Sequence, residues 1–228
     1  MEPKFYKVGG WVRDNILGQQ SKDLDYACEA DSFEAMRQAI IDRGGIIFLE
    51  KPEYATIRAR IGREASDFVL CRRDGYYSDG RRPDAVMPGT LMDDLSRRDF
   101  TMNAMAIDEE GNLIDLFDGR GSLSRGVVEC VGFPIERFNE DSLRMLRAIR
   151  FAITKDMVLD YRIETALRMP RLVAKLEAVS EERKREELVR CFKHSTIRTL
   201  NMLNEFGDIM LACFGKGGNL WLKPTSES

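Results

Sequence analysis

Val8-Gly9-Gly10-Trp11-Val12-Arg13-Asp14, followed shortly by Lys22-Asp23-Leu24-Asp25, is the stretch from which the fold can be read. Phe5-Tyr6-Lys7-Val8 reads as a strand, the two glycines as a turn, and Trp11 to Leu17 as a helix closed by Gly18. Glycine lets backbone N–H groups approach a phosphate, and a helix N-terminus favours its negative charge. Arg13 then stands where it can add a guanidinium to a triphosphate. Lys22 to Cys28 reads as the next strand. Residues i and i+2 of a strand share a face, so Asp23 and Asp25 set two carboxylates side by side, with Leu24 packed into the core behind them. Such oxygens suit a hard divalent cation, and a two-metal site can activate a hydroxyl and stabilise leaving pyrophosphate. Singly, each half is ambiguous: an Asp-x-Asp is also an ordinary polar strand edge, and Gly-Gly an ordinary turn.

Outward from this stretch, strand and helix signals alternate. Ser32 is placed to cap a helix through Ile41, with Phe33, Met36, Ala39 and Ile40 on one stripe and Glu34 in the first turn. Strands follow at 46–49, 55–61 and 66–71. Gly75, Ser78, Asp79, Gly80, Pro83 and Pro88 mark residues 74–88 as a loop, and a loop of that length inside a compact domain is usually functional or disordered. A short helix is expected at 90–95. From Asn139 onward the pattern is helical with no obvious strand: Asn139 is read as the cap of a helix with Leu143, Leu146, Ile149 and Ala152 on one face, and another helix begins near Ser180. The expectation is an α+β head over 1–134 and a helical segment over 135–228.

Bulk properties narrow the class. A chain of 228 residues, 43% hydrophobic and 32% charged, is that of a globular protein. Its apolar runs are too short to span a bilayer, and Met1-Glu2-Pro3-Lys4-Phe5 leads directly into structured sequence, so no secretory leader is expected. Cys28, Cys71, Cys130, Cys191 and Cys213 form no C-x-x-C pair, and His194 is the single histidine. This argues for buried thiols in a reducing cytoplasm and against a zinc site. The net charge of -3 does not advertise nucleic-acid binding, but residues 140–200 carry 14 Lys and Arg against 10 Asp and Glu. That bias permits RNA contact and equally describes solvated helix faces.

Val8-Gly9-Gly10-Trp11-Val12-Arg13-Asp14 with Asp23-Leu24-Asp25 resembles the head of class II tRNA nucleotidyltransferases (CCA-adding enzymes) and bacterial poly(A) polymerases, within the polymerase β-like nucleotidyltransferase superfamily. The resemblance continues in order through Asp79-Gly80-Arg81-Arg82-Pro83, Arg97-Arg98-Asp99-Phe100-Thr101-Met102-Asn103-Ala104, Glu140-Asp141-Ser142-Leu143-Arg144 and Glu182-Arg183-Lys184-Arg185-Glu186-Glu187.

The resemblance implies a mixed sheet with helices followed by an all-helical neck. It implies catalysis by Asp23 and Asp25 with two Mg2+ ions, Asp67 as an accessory metal ligand, and CTP and ATP as substrates. Gly9, Gly10, Arg13, Arg97, Arg98, Asp99 and Asn103 would hold the ribose and phosphates, where arginine offers forked donors and Asp99 can accept from a ribose hydroxyl. Asp141 and Arg144 would read the base as an amino-acid template. Cytosine and adenine each present an amino donor beside a ring-nitrogen acceptor, which suits a carboxylate plus a guanidinium; guanine and uracil would face like against like. Read from the residues alone, the pair is more simply an ordinary intrahelical salt bridge. Arg147 and Arg150 are added to the nucleotide-binding set, and with Arg168 and Arg171 they are candidates for gripping RNA.

Glu182, Arg183 and Glu187 would brace the base-reading helix, and Asp79-Gly80-Arg81-Arg82-Pro83 resembles the flexible element used to switch from cytidine to adenosine addition. Family members usually continue into body and tail domains that grip tRNA, of which this chain carries little. The expected activity is CCA addition to the tRNA 3′ end in the cytoplasm, with no membrane or DNA involvement. Poly(A) addition to RNA is the nearest alternative, and a non-catalytic RNA- or nucleotide-binding module is the alternative of another class.

Overall fold

The computed structural model describes residues 2–21, 23–74 and 86–215, and the chain divides into two compact units, Met1–Leu123 and Ser124–Ser228. The first unit runs β1 (Lys4–Val8), α1 (Gly10–Ile16), β2 (Asp25–Glu29), α2 (Phe33–Asp42), β3 (Ile46–Lys51), β4 (Thr56–Ile61), β5 (Glu64–Leu70), β6 (Arg72–Asp74), β7 (Val86–Pro88), α3 (Leu91–Ser96), β8 (Met105–Ile107), β9 (Leu113–Asp115) and α4 (Gly119–Arg125), the last reaching across the division. Seven of these strands form one mixed sheet in the order β3-β4-β5-β2-β1-β8-β9. Within it β2 and β5 run parallel, and the remaining neighbours are antiparallel.

Alternation along the strands decides the two faces. Phe5, Cys28, Ile57, Ala59, Phe68 and Leu70 point to one side and bury against Met36, Ala39 and Ile40 of α2. Phe68 stacks on Tyr26 with ring centroids 4.8 Å apart and meets Phe5 edge-on at 5.5 Å. Burying one such side chain contributes about 1.5–3 kcal/mol. The cap of α2 is the expected one: the Ser32 hydroxyl accepts from the Ala35 N–H at 3.0 Å. The helix α1 lies against β1 and β8, and α3 against β2.

The second unit contains β10 (Val127–Val128), α5 (Pro134–Glu140), α6 (Leu143–Thr154), β11 (Val158–Leu159), α7 (Tyr161–Leu167), α8 (Pro170–Val173), α9 (Glu181–His194), α10 (Thr196–Glu205) and α11 (Gly207–Phe214). Leu143, Leu146, Ile149 and Ala152 are all buried along α6, which packs on α9.

Several expectations are corrected here. The segment after Asn139 does include a strand: Val158 and Leu159 pair in parallel with Val127 and Val128. Two residues are too few to show a period of two. That ladder ties the residues after Ser124 to the helices, and the compact units divide at Leu123/Ser124. Asn139 lies inside α5, whose start is set by Pro134 at a position where its missing N–H costs nothing. The next helix begins only at Leu143, after Asp141 adopts an extended conformation (φ -145°, ψ 104°). The strand read at 22–28 begins at Asp25, so Leu24 is half-buried outside the sheet and not part of the core. The ends of the 74–88 loop form a short ladder, β6 with β7, while Asp79-Gly80-Arg81-Arg82-Pro83 and Lys22 lie outside the described residues.

All five cysteines are buried and outside any disulfide, and burial pushes the Cys28 and Cys191 thiols up to about 12. His194 is exposed at the end of α9. Among the described residues no helix is long and apolar enough to cross a membrane.

Candidate functional site

In the first unit the register of the sheet assembles the carboxylates. Asp25 pairs with Asp67 across the parallel β2–β5 ladder, with Val8 on its other side, and Asp67 pairs with Arg58 of β4. Directly opposed residues share a face, so Arg58, Asp67, Asp25 and Val8 form one row across it. Because Val8 is the last residue of β1, the Gly9-Gly10 turn leaves the sheet beside the point where Asp25 enters it. Asp23 lies just before β2, exposed.

Electrostatics shows what this row lacks. Partial desolvation, although Asp25 stays exposed to solvent, and then the Asp67 carboxylate push the Asp25 carboxyl above its ordinary range; Asp23 adds to the push, and Arg98 and Arg58 oppose it. Asp67 is partly compensated already, accepting from the Arg58 guanidinium at 3.2 Å. Among the described residues no group of three or more His, Cys, Asp or Glu is gathered closely enough to hold a metal. Two hard carboxylates with residual repulsion nevertheless fit Mg2+, which is commonly held by one or two carboxylates plus substrate phosphates and water.

The turn forms a cradle. Gly9 has φ +73°, a conformation that side chains rarely adopt, and a Cβ added there would sit 3.1 Å from Arg98 Nη1. A Cβ on Gly10 would meet Arg13 Nη2 at 3.4 Å. The space above both glycines is thus rimmed by two guanidiniums at the start of a helix. That combination suits an anion.

Behind the rim is a buried polar network. Arg13 is 7% exposed; it donates from Nε and Nη2 to the Asp14 carboxylate at 2.9 and 3.0 Å, and from Nη1 to Asn103 Oδ1 at 2.7 Å. Asn103 Nδ2 donates to Asp99 Oδ1 at 3.0 Å, which also accepts from the Phe100 N–H at 2.8 Å. The structure therefore brings Gly9, Gly10, Arg13, Arg98, Asp99 and Asn103 together with Asp25. The sequence reading missed Asp94, a buried residue of α3 that grips both Arg97 and Arg98. Its spacing of three and four from two consecutive arginines was a usable signal.

In the second unit Asp141 and Arg144 do not share a helix, contrary to expectation: Asp141 closes α5 in an extended conformation and Arg144 lies in the first turn of α6. Asp141 Oδ2 accepts from Arg183 at 2.8 Å and Oδ1 from the Leu143 N–H at 3.0 Å. Arg144 donates to Glu140 at 2.7 Å and to the Arg137 carbonyl at 3.3 Å. Arg183 thus braces Asp141 from α9. Glu187 is the second tie, buried between Arg150, which donates to it, and Arg147 at 3.5 Å. Arg150 is 9% exposed and also lies over Phe151, 3.9 Å from the ring centroid. Expected among the nucleotide-binding residues, its guanidinium here ties α6 to α9. Glu182 is exposed in the first turn of α9, where it suits the helix dipole. Arg168, a candidate for RNA contact, is paired with Glu205 at 2.7 Å, and Arg171 is exposed.

Residues 5–129 match the poly A polymerase head domain. The CCA-adding enzyme of Limosilactobacillus reuteri is 40% identical over 186 residues, covering 80% of this chain and 44% of that protein. The crystal structure of the Bacillus stearothermophilus CCA-adding enzyme in complex with CTP superposes with a TM-score of 0.77 at 31% identity, covering 89% of this chain and 48% of that one. A tRNA nucleotidyltransferase complexed with a primer tRNA and an incoming ATP analog gives a TM-score of 0.74 at 31% identity, covering 96% and 61%. The chain spans about half the length of the curated relatives it matches.

Proposed function

The chain belongs to the poly A polymerase head domain family, and from that membership we propose that it adds C and A to the 3′ end of tRNA, using CTP and ATP and no nucleic-acid template. In this reaction the 3′ hydroxyl of the tRNA gives up its proton to solvent and its oxygen bonds to the α-phosphorus of the nucleotide, while the bond to the bridging oxygen breaks and pyrophosphate leaves. The observation that carries the proposal is the meeting, at one point of the sheet, of the Asp25–Asp67 register pair with the Gly9-Gly10 cradle and the Arg98 guanidinium.

Gly9, Gly10, Arg13 and Arg98 receive the triphosphate, whose charge their N–H donors balance. Asp23 and Asp25 would hold the two Mg2+ ions, with Asp67 as the accessory ligand; the chemistry such a pair would supply there is Lewis-acid activation of the hydroxyl and charge balance for the leaving pyrophosphate. Asp99 and Asn103 keep Arg13 aligned and stand for the ribose. Asp141 and Arg144 select the base, Asp141 accepting from the amino group and Arg144 donating to the ring nitrogen. The bracing of Asp141 by Arg183 supports that role by fixing the carboxylate before a base arrives. The relatives described as a complex with CTP and as a complex with a primer tRNA and an ATP analog support the same substrates. Five buried cysteines outside any disulfide fit a cytoplasmic setting.

The test is incubation of the purified chain with Mg2+, CTP and ATP, singly and together, and a tRNA ending at its discriminator base, followed by sequencing of the 3′ end. Addition of C-C-A and then a halt is expected. An A tail of indefinite length would assign poly(A) addition instead, and nucleotide binding without transfer would leave a binding module.

A further inference from the structure

Asp94 is a carboxylate in an unusual position: 2% exposed on a helix of six residues, in a loop-rich part of the first unit. Four hydrogen bonds converge on it. Oδ1 accepts from Nε and Nη2 of Arg97 at 3.1 and 2.5 Å, and Oδ2 accepts from Nε and Nη2 of Arg98 at 3.3 and 2.9 Å. One buried anion therefore fixes two adjacent guanidiniums, each by its Nε edge. Arg98 keeps Nη1 directed elsewhere, donating to the Asn103 carbonyl at 3.2 Å and standing 3.1 Å from where a Gly9 Cβ would be. Burial by itself would push the Asp94 carboxyl up, yet Arg98 and Arg97 hold it below its ordinary range, so it remains an anion.

We propose that Asp94 is the positioning residue of the triphosphate cradle: it points Arg98 at the Gly9 turn and fixes Arg97 beside it, so that the phosphates meet guanidiniums already aligned. This rests on the nucleotidyl-transfer reading of the same site. Arg98 without this anchor carries several rotatable bonds, and each binding event would have to order them. Asp94 itself is buried and paired with both arginines, so it acts through them. Because it acts on phosphate binders, its effect should be blind to the base.

The experiment measures binding of CTP, ATP and inorganic tripolyphosphate to the native chain and to Asp94→Asn, with the thermal midpoint of each protein recorded alongside. Loss of one aligned, charge-assisted contact corresponds to about tenfold weaker binding, and the same factor is expected for all three ligands. In an Arg98→Gln background the further loss on adding Asp94→Asn should be clearly smaller than in the native chain, since only the part acting through Arg97 remains. Should Asp94→Asn fail to fold, Asp94→Glu carries the test, keeping the charge and displacing it by one methylene; weaker binding of all three ligands is again expected. Unchanged affinity in a folded variant overturns the positioning role, as does a loss confined to one base or fully additive with Arg98→Gln. A native chain that binds none of the three ligands overturns the nucleotidyl-transfer reading itself, and the positioning role with it.

Discussion

Replacing Asp25 by Asn should abolish nucleotidyl transfer and at the same time make the metal-free protein more stable. Neighbouring strands lie about 4.8 Å apart, so the paired carboxylates of Asp25 and Asp67 face each other at about 5 Å. Two unit charges at that distance repel by about 0.8 kcal/mol in water and about twice that at half its dielectric constant. Arg98 and Arg58 offset part of this, and solvent reaches the site, so the net gain for Asp25→Asn is on the order of 0.5–1 kcal/mol. In a chain of this size that is a rise in thermal midpoint of about 1–4 °C.

The sign follows from the direction of the Asp25 shift. A carboxyl whose folded pKa lies above its ordinary 3.8 binds its proton more tightly when folded. Its penalty is absent below that value and grows as the pH rises through the folded pKa. The advantage of the variant should therefore be present near neutrality and vanish in acid. The assay is urea unfolding of both proteins in EDTA at neutral pH and again below the ordinary aspartate pKa, then with Mg2+ restored. A divalent ion at ten times its Kd stabilises the native state by about 1.4 kcal/mol, a gain that the variant should lack. A variant less stable than the native chain at neutral pH without metal, or an advantage independent of pH, would refute the electrostatic reasoning.

Glu187→Ala leaves the buried Arg150 without its partner and should cost about 3–5 kcal/mol of stability by denaturant unfolding, with the apolar pair Glu187→Met/Arg150→Met recovering most of the loss. Gly9→Ala imposes about 1–3 kcal/mol of backbone strain at φ +73° and crowds Arg98, so weaker CTP binding together with a lower thermal midpoint is expected from calorimetry of both. Arg144→Ala should blur the choice among NTPs by about tenfold or more while leaving tripolyphosphate affinity unchanged; intact selectivity in single-NTP incorporation would return Arg144 to a pair with Glu140.

What the sequence made legible was local or periodic. Gly9-Gly10 announced a turn because no other residue type accommodates that backbone so readily, and Ser32 announced its helix through a cap formed within three residues. The stripe from Leu143 to Ala152 was readable because a helix repeats its buried face. The misses share a non-local cause. Asp94 follows another acid in the first turn of a short helix, where two acids usually read as solvated, and only tertiary enclosure makes it a buried anchor. Arg150 sits at the same spacing as Arg144 and Arg147, but its fate is decided by Glu187, 37 residues away. Asp141 was assigned to a helix because nothing in Asn139-Glu140-Asp141-Ser142 marks the break between α5 and α6. The Asp25–Asp67 pairing is a matter of register between strands distant in sequence, and the family resemblance reached it where spacing alone could not.

The most direct measurement is pyrophosphate release by the native chain and by Asp25→Ala, each supplied with CTP, Mg2+ and a tRNA ending at its discriminator base. Release that needs both tRNA and Mg2+ in the native protein, and is lost in a variant that remains folded, is the expected result. Undiminished release by folded Asp25→Ala would contradict the assignment of the reaction to this carboxylate site.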